Sequence, residues 1–188
     1  MGFWGSYVFA RSREDLSGLP EVQTLGGDVD LALRGDDGWQ VLALHRANPV
    51  LAEAAVPALV AATGAPALVA NVADSDFAHV IADTPAGVRW SAMLNRTMAA
   101  GYGFPVDGGL DEFGDLPGEL LAEFALPGVP EASASAVQWS AEGGALADLA
   151  AVTAALTAND TFVEDVILDL GRALGVWPAT AEPSARDS

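Results

Sequence analysis

Two stretches of alternating apolar and polar residues, joined by a turn, lie between residues 28 and 44. In the first stretch Val29, Leu31 and Leu33 are separated by single residues, which is the period-two pattern of a half-buried strand. The sequence Gly-Asp-Asp-Gly at 35–38 supplies turn-forming residues, and a second apolar strand follows it. A hairpin is marginal by itself, so this pattern predicts a larger sheet with antiparallel neighbours.

Further strands are predicted on both sides of this hairpin. Their patterns occur at 5–10, 67–72, 77–82 and 88–93. One helix is inserted after the third strand; it begins at Asn48-Pro49 and ends near Gly64. Short connections between most strands favour antiparallel pairing over a doubly wound sheet. We therefore predict an α+β fold with a mainly antiparallel or mixed sheet of about six strands in residues 1–95.

The C-terminal half is predicted to be mostly helical and to pack on the sheet. The clearest helix follows Thr161 and Glu164, which have the spacing of a capping box, and its apolar residues recur every three or four positions. Another helix is predicted over 145–156, whereas the small residues of 127–136 favour a connecting loop.

The length of 188 residues fits one domain, which we expect to span residues 1–177, followed by a disordered tail at 178–188. The absence of cysteine excludes disulfides, a thiolate nucleophile and a cysteine metal site. The N-terminus lacks the pattern of a secretory signal, and proline and glycine interrupt the longest apolar stretch, 50–72. We expect a cytoplasmic protein without a membrane segment.

The charge of the chain is unevenly distributed. Its net charge is −18, and all eight basic residues are arginines, which excludes mechanisms that depend on lysine. Residues 1–96 carry 11 acidic residues and six arginines, whereas residues 97–171 carry 13 acidic residues and no basic one. Since nucleic-acid binding requires a basic surface, we expect no nucleic-acid ligand.

An acidic run interleaved with apolar residues is the main candidate for a binding site. We predict that a basic protein partner docks on Asp107, Asp111, Glu112, Phe113, Asp115 and Glu119. The function expected from this is that of a non-enzymatic binding protein, similar in role to an immunity protein or an inhibitor. The alternative interpretation is that these carboxylates form an ordinary solvated face of an acidic protein.

The two histidines, His79 and His45, suggest an alternative function as an enzyme or as a small-molecule- or metal-binding protein with a cleft near them. His79 shares a strand face with Phe77 and Ile81, and it follows Asp74 and Asp76, whose carboxylates are possible ligands of a hard cation. The same Asp-Ser-Asp sequence is ordinary turn chemistry. No nucleophile motif or glycine-rich phosphate loop accompanies either histidine, so we expect no cofactor and favour a non-enzymatic function over this alternative.

Five tryptophans suggest a third function, that of a structural subunit in a homo-oligomer. Tryptophan is enriched at protein interfaces, and Trp4 and Trp177 near the chain ends are the ones expected to be exposed. Tryptophans also belong to ordinary hydrophobic cores, which is the competing interpretation.

Overall fold

The computed structural model describes residues 2–104 and 126–177. The strands within these residues are β1 (Gly5–Arg11), β2 (Asp28–Arg34), β3 (Trp39–His45), β4 (Ala67–Ala73), β5 (Phe77–Asp83) and β6 (Trp90–Leu94). The helices are α1 (Pro20–Leu25), α2 (Ala52–Thr63), α3 (Arg96–Gly101), α4 (Val129–Glu142), α5 (Leu149–Thr157) and α6 (Val163–Ala173). Short 3₁₀ turns occur at Leu16–Gly18 and Pro49–Leu51.

The six strands form one sheet in the order β2-β3-β1-β4-β5-β6, and every neighbouring pair is antiparallel. The β2–β3 hairpin lies at one edge, the β4–β5–β6 meander lies at the other, and β1 joins them. The predicted α+β fold, with an antiparallel sheet followed by a helical C-terminal half, is therefore confirmed.

The two faces of the sheet are covered by different helices. On the back face, Phe9, Leu68 and Val80 belong to a core shared with residues of α4, α5 and α6. On the front face, Leu42 and Val69 pack with residues of α1 and α2. Because successive side chains of a strand point to opposite sides, the central strands β1, β3 and β4 contribute to both layers.

Three of the five tryptophans lie in the back-face core. Trp139 of α4 is fully buried, and its ring centroid lies 5.5 Å from that of Trp39 and 6.4 Å from that of Trp90. Its indole N–H donates to main-chain carbonyls of the sheet. Trp177 is half-buried against the ring of Phe9, so Trp4 is the one exposed tryptophan. Trp4 is therefore the tryptophan that could anchor a homo-oligomer interface.

Two helices occur where the sequence did not predict them. Helix α1 precedes the hairpin, so the N-terminal half holds more than one inserted helix. Helix α4 replaces the loop that was predicted over 127–136, and that prediction was wrong. Its small residues Ala132, Ser133 and Ala136 are buried. These small side chains, which are also common in linkers, allow α4 to pack closely against the back-face core.

The ends of the helices follow the sequence only in part. Asn48 accepts a hydrogen bond from the Val50 N–H and so caps the turn before α2, and Gly64 ends that helix with a φ of 65°, both as predicted. The predicted capping box before α6 is absent, because Phe162 occupies the N-cap and the Glu164 carboxylate accepts a hydrogen bond from Ser75.

Candidate functional site

An open groove of about 1450 Å³ crosses the front face of the sheet beside α2. Among the described helices, α2 packs over β1, β4 and part of β5, whereas α3 packs against Phe77 and Met93 of β5 and β6. The groove lies beside these contacts. The floor of the groove is formed by front-face side chains of these strands, which are Asn71, Phe77, His79, Ile81, Ser91 and Met93. Mostly apolar, concave surfaces with a few polar groups are where proteins usually bind ligands.

The alternation of β5 explains the composition of the floor. Ala78, Val80 and Ala82 belong to the back-face core and are almost completely buried. The residues between them, His79 and Ile81, therefore point to the front face, where they line the groove and remain half-buried. The predicted sharing of one strand face by His79, Phe77 and Ile81 is what the structure shows.

Exposed apolar side chains form the rim of the groove. Val50, in the turn before α2, is 80% exposed, and Trp4, which precedes β1, is 51% exposed. At the other end the rings of Tyr102 and Phe104 lie 5.2 and 5.0 Å from the ring of Phe77. An apolar rim around a groove is typical of surfaces that bind other molecules.

Carboxylates predominate among the charged groups of the groove. Glu53, Asp74, Asp83 and Glu131 line it, and Arg89 is the only basic residue among its described lining residues. The guanidinium of Arg89 lies 2.6 Å from the carboxylate of Asp83, so it neutralises one acid of the groove and leaves the others. The groove consequently carries a net negative charge that favours basic ligands.

His79 lies in a row of polar side chains across the front face. Ser6, Asn71 and His79 are paired in register on β1, β4 and β5. The Ser6 hydroxyl donates to the Asn71 side-chain carbonyl over 2.8 Å. His79 Nε2 is buried and makes no hydrogen bond within the described parts of the chain. Burial lowers the pKa of His79, and the negative charge of Glu53 partly opposes this effect.

Two carboxylates of the turn before β5 bind neighbouring segments, one near the N-terminus and one at the end of α3. Asp74 accepts a hydrogen bond from the Gly2 N–H over 2.7 Å, and Asp76 accepts one from the Tyr102 hydroxyl over 2.6 Å. The bond to Asp76 raises the pKa of Tyr102. No group of three or more His, Asp or Glu side chains in the described residues is placed to hold a metal ion. The metal alternative at Asp74, Asp76 and His79 therefore stays a prediction without support from these residues.

The two histidines do not face a common cleft. His45 lies opposite Gly5 in the sheet, and Gly5 lies opposite Val72, whose side chain is in the back-face core. His45 therefore points to the back side, where its ring centroid lies 5.7 Å from that of Phe3, whereas His79 points to the front. A site that uses both imidazoles together is not formed.

The residues predicted to bind a partner, Asp107, Asp111, Glu112, Phe113, Asp115 and Glu119, lie outside the described residues. Phe104 and Leu126, the described residues on either side of this segment, both line the groove. His79, beside which the alternative function expects a cleft, also lines the groove. The alternation of β5 indicated which of its residues share a face, but the sequence did not indicate which helices cover each face.

Comparisons with protein-family models, with curated proteins and with solved structures give no match for this chain. None of the helices in residues 2–104 and 126–177 is both long and apolar enough to cross a membrane. Function must therefore be inferred from the groove and its lining residues.

Proposed function

We propose that this chain is a non-enzymatic binding protein whose groove receives a basic, partly apolar segment of a partner protein, in the way that an immunity protein or an inhibitor holds its target. The observation that carries this proposal is the lining of the groove, which contains both exposed apolar side chains and carboxylates. Apolar contact provides affinity and the carboxylates select a basic partner.

The charge of the whole chain supports the same proposal. The net charge of −18 attracts basic proteins over distances longer than a contact, which increases the rate of encounter and makes it sensitive to salt. Of the acids that line the groove, Asp83 is already paired with Arg89 and Asp74 accepts a main-chain hydrogen bond. Glu53 makes no hydrogen bond or ion pair within the described residues, so its charge is available to a partner.

The polar groups near His79 support binding more than catalysis. Ser6 is the hydroxyl residue in the same cross-strand row, but it is fully buried and donates to Asn71. Activation of a serine by histidine requires a hydrogen bond between the two side chains. Ser6 does not have the arrangement of a nucleophile.

A labelled synthetic peptide in which leucine and arginine alternate is the direct probe of this function. We expect it to bind the wild-type protein, to bind more weakly at high ionic strength, and to bind at least about tenfold more weakly to Val50→Arg, which places a positive charge on the rim. Leu146→Arg is the matched control, because Leu146 is 94% exposed and does not line the groove.

Equal affinity of the peptide for both variants and the wild type would contradict the proposal, as would equal binding of a peptide that alternates leucine and glutamate. Light scattering tests a second copy of the chain as the occupant. A dimer that Val50→Arg dissociates and Leu146→Arg does not would replace the proposed partner with a homo-oligomer.

The predicted contribution of the acidic run is tested separately. Replacement of Asp111, Glu112 and Asp115 by their amides is expected to slow association with the leucine–arginine peptide at low salt and to have little effect at high salt. Stopped-flow fluorescence measures this rate. An unchanged rate at low salt would favour the interpretation of this run as a solvated face.

A second candidate function is the binding of a small molecule, favoured by the half-buried imidazole of His79 on the floor of the groove, whose Nε2 makes no hydrogen bond to any described residue. A thermal-shift screen of metabolites and metal ions against the wild type and His79→Ala tests it. A stabilising compound whose effect requires His79 would promote this function above the binding of a protein segment.

A further inference from the structure

The aromatic ring of Tyr102 is held in one place at the end of the groove. The Tyr102 N–H donates to the carbonyls of Met98 and Ala99 where α3 ends, and its ring centroid lies 5.2 Å from that of Phe77. Its hydroxyl donates to the Asp76 carboxylate over 2.6 Å. The residue lines the groove and is 59% exposed. Tyr102 is therefore a fixed aromatic surface that a ligand in the groove can contact.

The carboxylate at the edge of this ring is also fixed. The Asp76 N–H donates to the Ala73 carbonyl over 2.9 Å, and the Asp76 main-chain carbonyl accepts from the Asn95 amide over 2.8 Å. Asp76 is half-buried, and no ion pair joins it to a basic side chain of the described residues. The hydroxyl of Tyr102 is a neutral donor, so its hydrogen bond leaves the negative charge of Asp76 in place.

The surroundings of this end of the groove are acidic. Asp74, in the same turn as Asp76, lines the groove and accepts a hydrogen bond from the Gly2 N–H. Arg89, the basic residue of the described lining, is paired with Asp83 at the last position of β5, whereas Asp76 directly precedes the first. A strand of this length separates the two carboxylates by roughly 20 Å, which exceeds the range of a screened charge in salt. The field at this end therefore favours a cation.

We infer that Tyr102 and Asp76 form a subsite for an arginine side chain of the bound segment. This inference rests on the proposed function and names the residue type that this end of the groove selects. A guanidinium is planar, so it stacks on an aromatic ring while its N–H groups donate to a carboxylate at the edge of that ring. The hydrogen bond between Tyr102 and Asp76 holds the ring and the carboxylate together before the ligand arrives. Such preorganisation lowers the entropic cost of binding.

Peptides that differ at a single residue test this subsite. The probe is a leucine-rich peptide with one central arginine, and its counterparts carry lysine or citrulline at that position. Citrulline keeps the size and planarity of arginine without its charge, and lysine keeps the charge without the plane. We expect the arginine peptide to bind the wild-type protein about threefold more tightly than the lysine peptide and about tenfold more tightly than the citrulline peptide.

Two substitutions separate the ring from the charge. Tyr102→Leu removes the stacking surface and is expected to lower the affinity for the arginine peptide about three- to tenfold and to abolish its advantage over lysine. Asp76→Asn keeps an acceptor for the Tyr102 hydroxyl but removes the charge, and it is expected to reduce the advantage of arginine over citrulline by a similar factor. Each variant is compared with the wild type by circular dichroism so that only folded proteins are measured.

Matched controls lie elsewhere on the described surface. Phe162→Leu removes an aromatic residue that is 54% exposed and does not line the groove, and Asp36→Asn removes an exposed charge from the turn between β2 and β3. Both are expected to keep the preference for arginine. Equal affinities of the arginine and lysine peptides for the wild type, or a preference unchanged in Tyr102→Leu and Asp76→Asn, would overturn the subsite and leave the proposed function in place. No binding of any peptide would overturn both.

Nuclear magnetic resonance of the wild-type protein provides a readout that does not depend on a variant. The chain has two tyrosines, and Tyr7 packs on the back-face core, where its ring centroid lies 5.6 Å from that of Phe3. We expect nuclear Overhauser effects between the arginine side chain of the bound peptide and the ring protons of Tyr102, and none to those of Tyr7. Effects from this arginine to other groove residues without Tyr102 would overturn the subsite.

Discussion

The back and front faces of the sheet consist of the same six strands but differ in what covers them. The back face is packed against α4, α5 and α6, and its central residues, such as Val80 and Trp139, are fully buried. Within the described residues, the front face is covered by α1 and α2 and, at Phe77 and Met93, by α3, and the groove lies beside them. Because the back-face core contains more buried residues than the front-face core, we expect it to contribute most of the stability.

The largest expected loss of stability comes from truncating a tryptophan of the back-face core, and a tryptophan at the rim of the groove provides the comparison. Trp139→Ala removes a fully buried side chain in contact with Trp39 and Trp90, together with its hydrogen bonds to the main chain of the sheet. We expect the free energy of unfolding to fall by about 3–5 kcal/mol. Urea denaturation followed by circular dichroism measures this change.

Trp4→Ala is the matched substitution at the rim of the groove. Because Trp4 is 51% exposed, its truncation removes much less buried surface, and the expected loss is below about 1.5 kcal/mol. Comparable losses for the two variants would show that the rim contributes to the core and would remove the distinction between the faces.

A smaller effect is expected from two neighbours on β5. Val80 is fully buried on the back face, and Ile81 is half-buried on the floor of the groove. Val80→Ala is expected to cost about 2 kcal/mol of unfolding free energy because it removes two methyl groups and leaves a cavity. Ile81→Ala removes more atoms but is expected to cost less, about 1 kcal/mol, since the side chain is already partly exposed.

Calorimetric or urea-induced unfolding of the two variants measures this difference. The result is informative because the larger truncation is expected to have the smaller effect, which side-chain size alone does not predict. A greater loss for Ile81→Ala than for Val80→Ala would indicate that the front-face strip is as tightly packed as the back face.

The sequence was sufficient for the elements whose signal is local. The hairpin followed from the alternation at Val29, Leu31 and Leu33, because period-two alternation depends only on adjacent residues. A register shift between Val29 and Leu31 breaks this alternation in the structure and leaves Val29 exposed. Helix α4 was not predicted, because its small side chains become meaningful only when packed against neighbours. A cleft near His79 was expected only for the alternative function, and the sequence did not indicate its extent, which depends on where α2 lies across the sheet.

Asn95 has a role that its residue type and position do not reveal. It occupies the N-cap of α3, where asparagine is favoured, but its side chain makes no capping bond. Its amide instead donates to the main-chain carbonyls of Asp76 and Asp160, and its side-chain carbonyl accepts from the Asp160 N–H. The bonds to Asp160 join segments 65 residues apart in the chain, which local sequence patterns do not reveal.

The smallest expected effect concerns the pH dependence of stability that His79 confers on the front face. Burial lowers the pKa of this imidazole in the folded protein below its usual value of 6.5. As the pH falls through the interval between the usual value and the lowered one, the unfolded chain takes up a proton at His79 and the folded protein does not. The free energy of unfolding therefore decreases in this interval, and the contribution of His79 is constant above it.

His79→Leu removes this proton uptake and keeps an apolar side chain on the floor of the groove. We expect the difference in unfolding free energy between the variant and the wild type to shift in favour of the variant as the pH falls below about 6.5. Urea midpoints over a series of pH values measure this difference. The titration of the carboxylates cancels, because both proteins contain the same acidic residues. Parallel curves would show that His79 is hydrated in the folded protein, and the groove floor would then be open to water.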